Sequence, residues 1–219
     1  MACTLVPINL GDPSEYEELR IQRVACGWDN TPEKLDQWRE KQTEGLKSFF
    51  WITKTKPTPE PGPEPEPGAS SSTPTTTIIR AGHISLDAFT SPPNDEVANA
   101  AKTNLTIKTF FIMPAHRAGG LGSAAMRLVE SLATSAPYGS PNCEFITLDC
   151  LSKAHYYDPV LGPYVRRVMP ICNQEWYERM GYVVWKVEPR YEDRVVLENG
   201  ESRDIVYDAA FMRKRVAKE

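Results

Sequence analysis

Between Phe110 and Met126 the sequence runs FFIMPAHRAGGLGSAAM, a strand-like stretch, then a proline, an arginine and three glycines that open a helix-like stretch. Such a junction can hold an anion. Gly119, Gly120 and Gly122 let the backbone approach a ligand closely and take dihedrals closed to other residues, so several amide N–H groups can face one phosphate. A helix opening near Ser123 adds its free N-terminal amides and the positive end of its dipole, which suits a pyrophosphate. Arg117 either adds charge or braces the loop. Gly120, Gly122 and Ala125 also satisfy the G-x-G-x-x-A dinucleotide fingerprint, with Asp149 ending the next strand, which would make the chain an NAD(P)-dependent oxidoreductase. That fingerprint normally opens the first βαβ unit of a long parallel sheet. Here it follows more than 100 residues and precedes a single further crossover.

The 219 residues are 41% apolar and 25% charged, an ordinary globular balance, and the expectation is a single domain over 1–219. A net charge of -4 gives no electrostatic reason to bind phosphate backbones or anionic membranes. Neither nucleic acid nor a membrane is therefore expected as a partner, and cationic small molecules are mildly favoured. No stretch approaches the roughly 20 apolar residues that span a bilayer, and the N-terminus lacks a signal-peptide plan, so the reading is cytoplasmic. Cys3, Cys26, Cys143, Cys150 and Cys172 are scattered without CxxC spacing, which argues for reduced thiols and against a disulfide framework or a metal site.

Residues 56–76 (KPTPEPGPEPEPGASSSTPTT) contain no large apolar side chain and read as a disordered, solvent-exposed loop inserted in the domain. Before it, residues 5–8 read as a strand, Asp12-Pro13 and Thr31-Pro32 each open a helix, and residues 49–53 turn strand-like. Ile21, Val24, Ala25 and Trp28 form one face of the first helix; Leu35, Trp38, Gln42 and Leu46 form one face of the second. After the loop come strands at 77–89 and 105–113, a helix at 122–136, a strand at 145–151, a helix at 173–180 and strands at 182–187 and 205–212. The order is βααβββαβαββ, with an insertion at 152–172 holding Tyr156, Tyr157, Tyr164, Arg166 and Arg167 that either shapes acceptor specificity or only decorates a loop.

The run Ile112-x-Pro114-x-x-Arg117-x-x-Gly120-Leu121-Gly122 resembles the V-x-P-x-x-R-G-x-G-[IL]-G motif with which N-acetyltransferases of the GNAT superfamily grip the pyrophosphate of acetyl-CoA. Ala118 stands where the family often has glycine, and Gly119 where it often has a basic residue. A second stretch, Asn173 to Tyr182 (NQEWYERMGY), resembles the family's later helix ending Y-E-[KR]-x-G-[FY]. Phe110 to Met113 also looks like the corresponding strand of polyamine acetyltransferases. The resemblance implies an α/β (α+β) fold, with a central mixed, mostly antiparallel sheet of about seven strands flanked by about four helices.

The same resemblance implies acetyl-CoA as co-substrate and a primary amine of a small molecule or peptide as acceptor, in a monomer or homodimer. Ala118, Gly119, Gly120, Leu121, Gly122 and Ser123 would supply the phosphate amides, with Arg117 beside them. Phe110, Phe111 and Ile112 would pair with the pantetheine like an added strand, and a backbone N–H near Ile112 would hold the thioester oxygen. Tyr177 would protonate the departing thiolate. The family's asparagine falls on Pro170 here, and Asn173 is the nearest candidate for that cofactor contact. For a base that frees the amine, Asp149 and His83 are candidates, beside a water chain. A GNAT-fold module that binds acyl-CoA without catalysis is the remaining alternative. Trp28, Trp38 and the aromatic-rich segments offer walls for an apolar or cationic amine, or core.

Overall fold

The computed structural model describes residues 3–57, 76–117, 119–196 and 200–216. Most of the proline-rich segment, from 58 to 75, lies outside the described residues, as does Ala118. In chain order the elements are β1 (Cys3–Pro7), α1 (Pro13–Cys26), α2 (Pro32–Thr43), β2 (Lys47–Pro57), β3 (Thr76–Asp87), β4 (Asn104–Ile112), a 3-10 turn (Pro114–His116) and α3 (Leu121–Leu132). Then follow β5 (Phe145–Leu151), α4 (Ala154–Tyr157), α5 (Gly162–Val168), α6 (Asn173–Arg179), β6 (Val183–Val196) and β7 (Ser202–Arg215). The strands form a seven-stranded sheet in the order β1-β2-β3-β4-β5-β7-β6. Pairs β1/β2, β5/β7 and β6/β7 are antiparallel; β4 pairs with β5 in parallel at Asn104–Thr106 against Phe145–Thr147.

Among the described residues six α-helices flank this sheet where about four were expected, because the insertion folds into α4 and α5. Three other boundaries differ for local reasons. Helix α3 stops at Leu132 rather than Ala136, ahead of Pro137, whose ring disfavours helical dihedrals in the residue before it. Strand β6 runs on through Pro189 to Val196, which an edge strand tolerates where its register slips. Its partner β7 lengthens to match.

The chain divides into two compact units, Met1–Leu86 with Lys108–Leu132, and Asp87–Ile107 with Ala133–Glu219. In the first, Asp12 caps α1 by accepting from the amides of Ser14 and Glu15, and Thr31 caps α2 through Lys34 N. Its core gathers Ile8, Leu10, Leu19, Leu35, Trp38, Phe49 and Trp51. The apolar face read on the first helix turns outward: Ile21 and Val24 are 55% and 53% exposed, Trp28, just past the end of α1, is 63% exposed, and the helix buries Leu19, Gln22 and Arg23 instead. Polar partners set its rotation, since Gln22 and Arg23 both reach His83 inside the unit.

In the second unit α4 and α5 pack Tyr156 and Val165 against Val195 and Tyr207 of the β6–β7 hairpin, with Leu151, Leu161, Tyr164 and Ile205 around them. The insertion and the hairpin extension therefore share one small core. Among the described residues no helix is long and apolar enough to cross a membrane.

Candidate functional site

The glycine turn is built as its composition requires. Gly119 and Gly120 have φ of 65° and 76°, successive left-handed residues that carry the chain from the 3-10 turn into α3. A Cβ on either would meet nothing within 4 Å, so the demand is on dihedral angle and the space before them is open. Among the described residues the first helical bond runs from Ala124 N to Gly120 O at 3.0 Å, so Leu121, Gly122 and Ser123 stand in the first turn, where a helix leaves amides without internal partners. Leu121 turns its side chain into the core while its amide stays at the helix start. Arg117 donates from Nε to Ile112 O at 2.9 Å and lies 5.5 Å from the Phe111 ring centre, so it braces the end of β4.

Strand β4 reaches this turn through a distortion. Thr109 has φ of 47°, a left-handed conformation that costs a β-branched residue about 1–2 kcal/mol. Side chains hold it there: Thr109 Oγ1 donates to Ser85 Oγ at 2.8 Å, Ser85 Oγ lies 3.2 Å from Lys108 O, and the buried Lys47 ammonium donates to Ser85 Oγ at 3.1 Å. Beyond the distortion Met113 N donates to Ala81 O at 2.9 Å, so strand alternation turns the N–H and C=O of Ile112 to the edge opposite β3. Gly82 makes this crossing possible, since a Cβ there would lie 2.1 Å from Phe111 O. Neither Thr109 nor Gly82 was picked out above. A lone glycine inside a strand pattern signals close backbone approach; for Thr109 the sequence carries no signal.

His83, on β3, is fully buried. Its Nδ1–H faces Gln22 Oε1 at 2.9 Å, and its Nε2 faces Arg23 Nη1 at 3.4 Å as the acceptor. Burial first, then the charges of Arg23 and Lys47, keep the imidazole well below its ordinary range and neutral. Its lone pair is thus already engaged within the unit.

In the second unit Tyr177 sits on α6, buried, with its ring edge-on to Trp176 and Tyr182 at 4.9 and 5.9 Å. The helix is fastened by Lys153, which donates from its backbone to Gln174 Oε1 at 2.7 Å and pairs with Glu178 at 2.9 Å. Burial, then the neighbouring Cys150, push the Tyr177 phenol up, so it carries its proton at neutral pH. Asn173 opens α6 exposed, one turn ahead on the same face.

Asp149 lies within β5, opposite Phe211 in register, and its side chain is 7% exposed. Tyr191 donates its hydroxyl to Asp149 Oδ2 at 2.7 Å, and Arg190 Nε stands 3.7 Å from the same oxygen. Burial pushes the Tyr191 phenol up to about 12, which keeps it a donor. By strand alternation Asp149 and Cys150 leave opposite faces of β5, so the carboxylate and the neighbour of Tyr177 do not share a face. Neither Tyr191 nor Arg190 was foreseen, although Pro189 inside a strand run is the mark of an edge or a bulge.

No family model matches the chain, and no curated protein is similar to it in sequence. Solved structures are similar in fold. NAA60 of Arabidopsis thaliana in complex with acetyl-CoA superposes over 98% of this chain and 99% of its own, with a TM-score of 0.51 at 15% identity. An aminoglycoside 6'-N-acetyltransferase complexed with coenzyme A gives 0.53 at 14% identity over 100% and 99%. A spermidine N-acetyltransferase chimera from Vibrio cholerae and hSSAT gives 0.54 at 12% identity over 100% and 98%. The chain shares its fold with these acetyltransferases: a mixed seven-stranded sheet, with the glycine turn of this chain between β4 and α3.

Proposed function

We propose that the chain is an N-acetyltransferase, acting as one domain, that moves an acetyl group from acetyl-CoA to a primary amine of a small molecule or peptide. The observation that carries this reading is the paired left-handed glycines opening α3, with open space before them and the amides of a helix start behind. In this reading Gly119 to Ser123 grip the pyrophosphate, joined by Ala118, which lies outside the described residues. Ile112 offers its outward N–H to the pantetheine arm, with Phe110 and Phe111 beside it in the same strand, and Arg117, whose Nε donates to the Ile112 C=O, stiffens the strand end while presenting positive charge. Two of the similar structures hold acetyl-CoA or coenzyme A, which supports the choice of donor.

The neutral amine attacks the thioester carbon, the C–N bond forms, and the C–S bond breaks to release thiolate. A phenol near 10 already lies above a thiol near 8.5, and burial raises Tyr177 further. Its role is therefore to donate a hydrogen bond to the departing sulfur while keeping its proton. Asp149 and His83 are the side chains proposed to receive the ammonium's proton; the His83 lone pair already faces Arg23 and Asp149 already accepts from Tyr191, which leaves a water chain as the third route. Asn173 is proposed as a further contact to the donor.

The dinucleotide alternative needs the crevice of a parallel doubly wound sheet, whereas the pairs β1/β2, β5/β7 and β6/β7 are antiparallel. A screen of amines, polyamines, amino acids and peptide N-termini with acetyl-CoA, detecting released thiol, tests the proposal. Thiol release with one amine class supports it. Acetyl-CoA binding without release from any amine would leave a non-catalytic binding module, and binding of NADH in its place would sink it.

A further inference from the structure

Successive residues of a strand point to opposite faces, yet Arg190 and Tyr191 both reach Asp149 Oδ2. The β6–β7 register explains this. Pro189 opposes Asp208 and Tyr191 opposes Tyr207, so Arg190 is the extra residue of a β-bulge. Tyr191 makes a hydrogen bond of 2.7 Å, whereas Arg190 at 3.7 Å is too far for one. The guanidinium instead rests between the carboxylate and the face of Phe211, 5.3 Å from the ring centre. Its side chain is 34% exposed against 7% for Asp149, so the arginine is the member of the pair that can leave for water. Lys186 also approaches Phe211, but its ammonium is paired with Glu188 at 2.5 Å. Trp185, packed in the same cluster, has a buried indole N–H with no partner among the described residues.

A shielded carboxylate beside an aromatic face is a recogniser of organic cations. We propose that Asp149, Tyr191 and Phe211 form a subsite for a positive charge of the acceptor, and that Arg190 is its internal stand-in, resting there until the acceptor displaces it. The amine that attacks a thioester must be neutral, so the charge held at Asp149 is a second one; in this role Asp149 binds and is not the base, and the proton of the attacking amine leaves through water. The acceptor class is thus an amine carrying another cationic centre. This purpose rests on the acetyl-transfer reading, whereas the displacement itself does not.

The test uses 1,4-diaminobutane as probe on the full chain without acetyl-CoA, with sodium chloride at matched ionic strength as control. In the wild type the Arg190 Nε–H resonance, assigned by its loss in Arg190→Lys, should move with diamine and stay with salt. Diamine binding by calorimetry should tighten roughly two- to fivefold in Arg190→Gln, the scale of one partly exposed ion pair, and vanish in Asp149→Asn. An unmoved resonance, or unchanged or weaker binding in Arg190→Gln, overturns the stand-in. Because binding is read without the donor, failure here leaves acetyl transfer untouched, and failure of thiol release leaves this result standing.

Discussion

At the turn from β4 into α3 what faces outward is main chain: amides freed by a helix start and by two left-handed glycines, with Arg117 turned back to brace a carbonyl. Around Asp149 it is side chains, a phenol and a guanidinium brought to one oxygen by a slipped register. The first arrangement suits a ligand that never changes, because backbone amides read phosphate geometry and little else. The second suits a ligand that varies, because exchanging a side chain there changes what is bound without moving the sheet. Donor and acceptor recognition are on this view separable, and each can be damaged while the other is preserved.

The largest expected effect falls on the scaffold beneath the turn. Gly82→Val puts a branched side chain where even a Cβ would lie 2.1 Å from Phe111 O, and thermal unfolding should show a loss of at least about 3 kcal/mol. A variant as stable as wild type would mean that β3 and β4 do not cross so closely. Next, Tyr177→Phe should cut turnover by about a hundredfold while acetyl-CoA binding stays within about twofold. Equal losses in both would make the tyrosine packing alone. Gly120→Glu should weaken acetyl-CoA binding more than tenfold by calorimetry, since a carboxylate would stand in the open space where phosphate is expected, and diamine binding at Asp149 should not change. If both ligands weaken together, the separation of donor and acceptor recognition fails.

The smallest effect concerns His83. Its imidazole is kept neutral in the fold, whereas in the unfolded chain it gains a proton below about pH 6.5. Its contribution to stability is therefore complete above that pH and declines as pH falls, by at most about 1.4 kcal/mol per pH unit. Urea unfolding of His83→Gln at pH 7 and pH 5 should show a smaller difference than the wild type. An equal difference would place a proton on the native imidazole.

The strands and helices before and after the proline-rich segment were legible because capping residues and apolar alternation are local signals, and Asp12, Thr31 and the run Phe145–Leu151 stand where they predict. The glycine turn was legible for the same reason: left-handed backbone leaves its mark in residue type. The rotation of α1 was not, because Gln22 and Arg23 bury themselves for His83, a partner on β3 about sixty positions away in the chain. Tyr191 and Arg190 were hidden by register, which depends on a pairing between strands and is written in neither strand alone. Thr109 is held left-handed by Ser85 and Lys47, again contacts made only after folding.

The bulge at Arg190 also absorbs one residue of β6 without changing the phase of what lies beyond it. Because Pro189 opposes Asp208 and Tyr191 opposes Tyr207, removing Arg190 would restore alternation and leave Tyr191 and the fully buried Val195 on the faces they hold. A single residue inserted or lost between Tyr191 and Val195 has no bulge to absorb it and would turn Val195 away from α4 and α5. In a lineage of such proteins, position 190 should therefore be exchanged or lost alone, while length changes beyond it on this strand appear in pairs of residues or together with a rebuilt 152–172 segment.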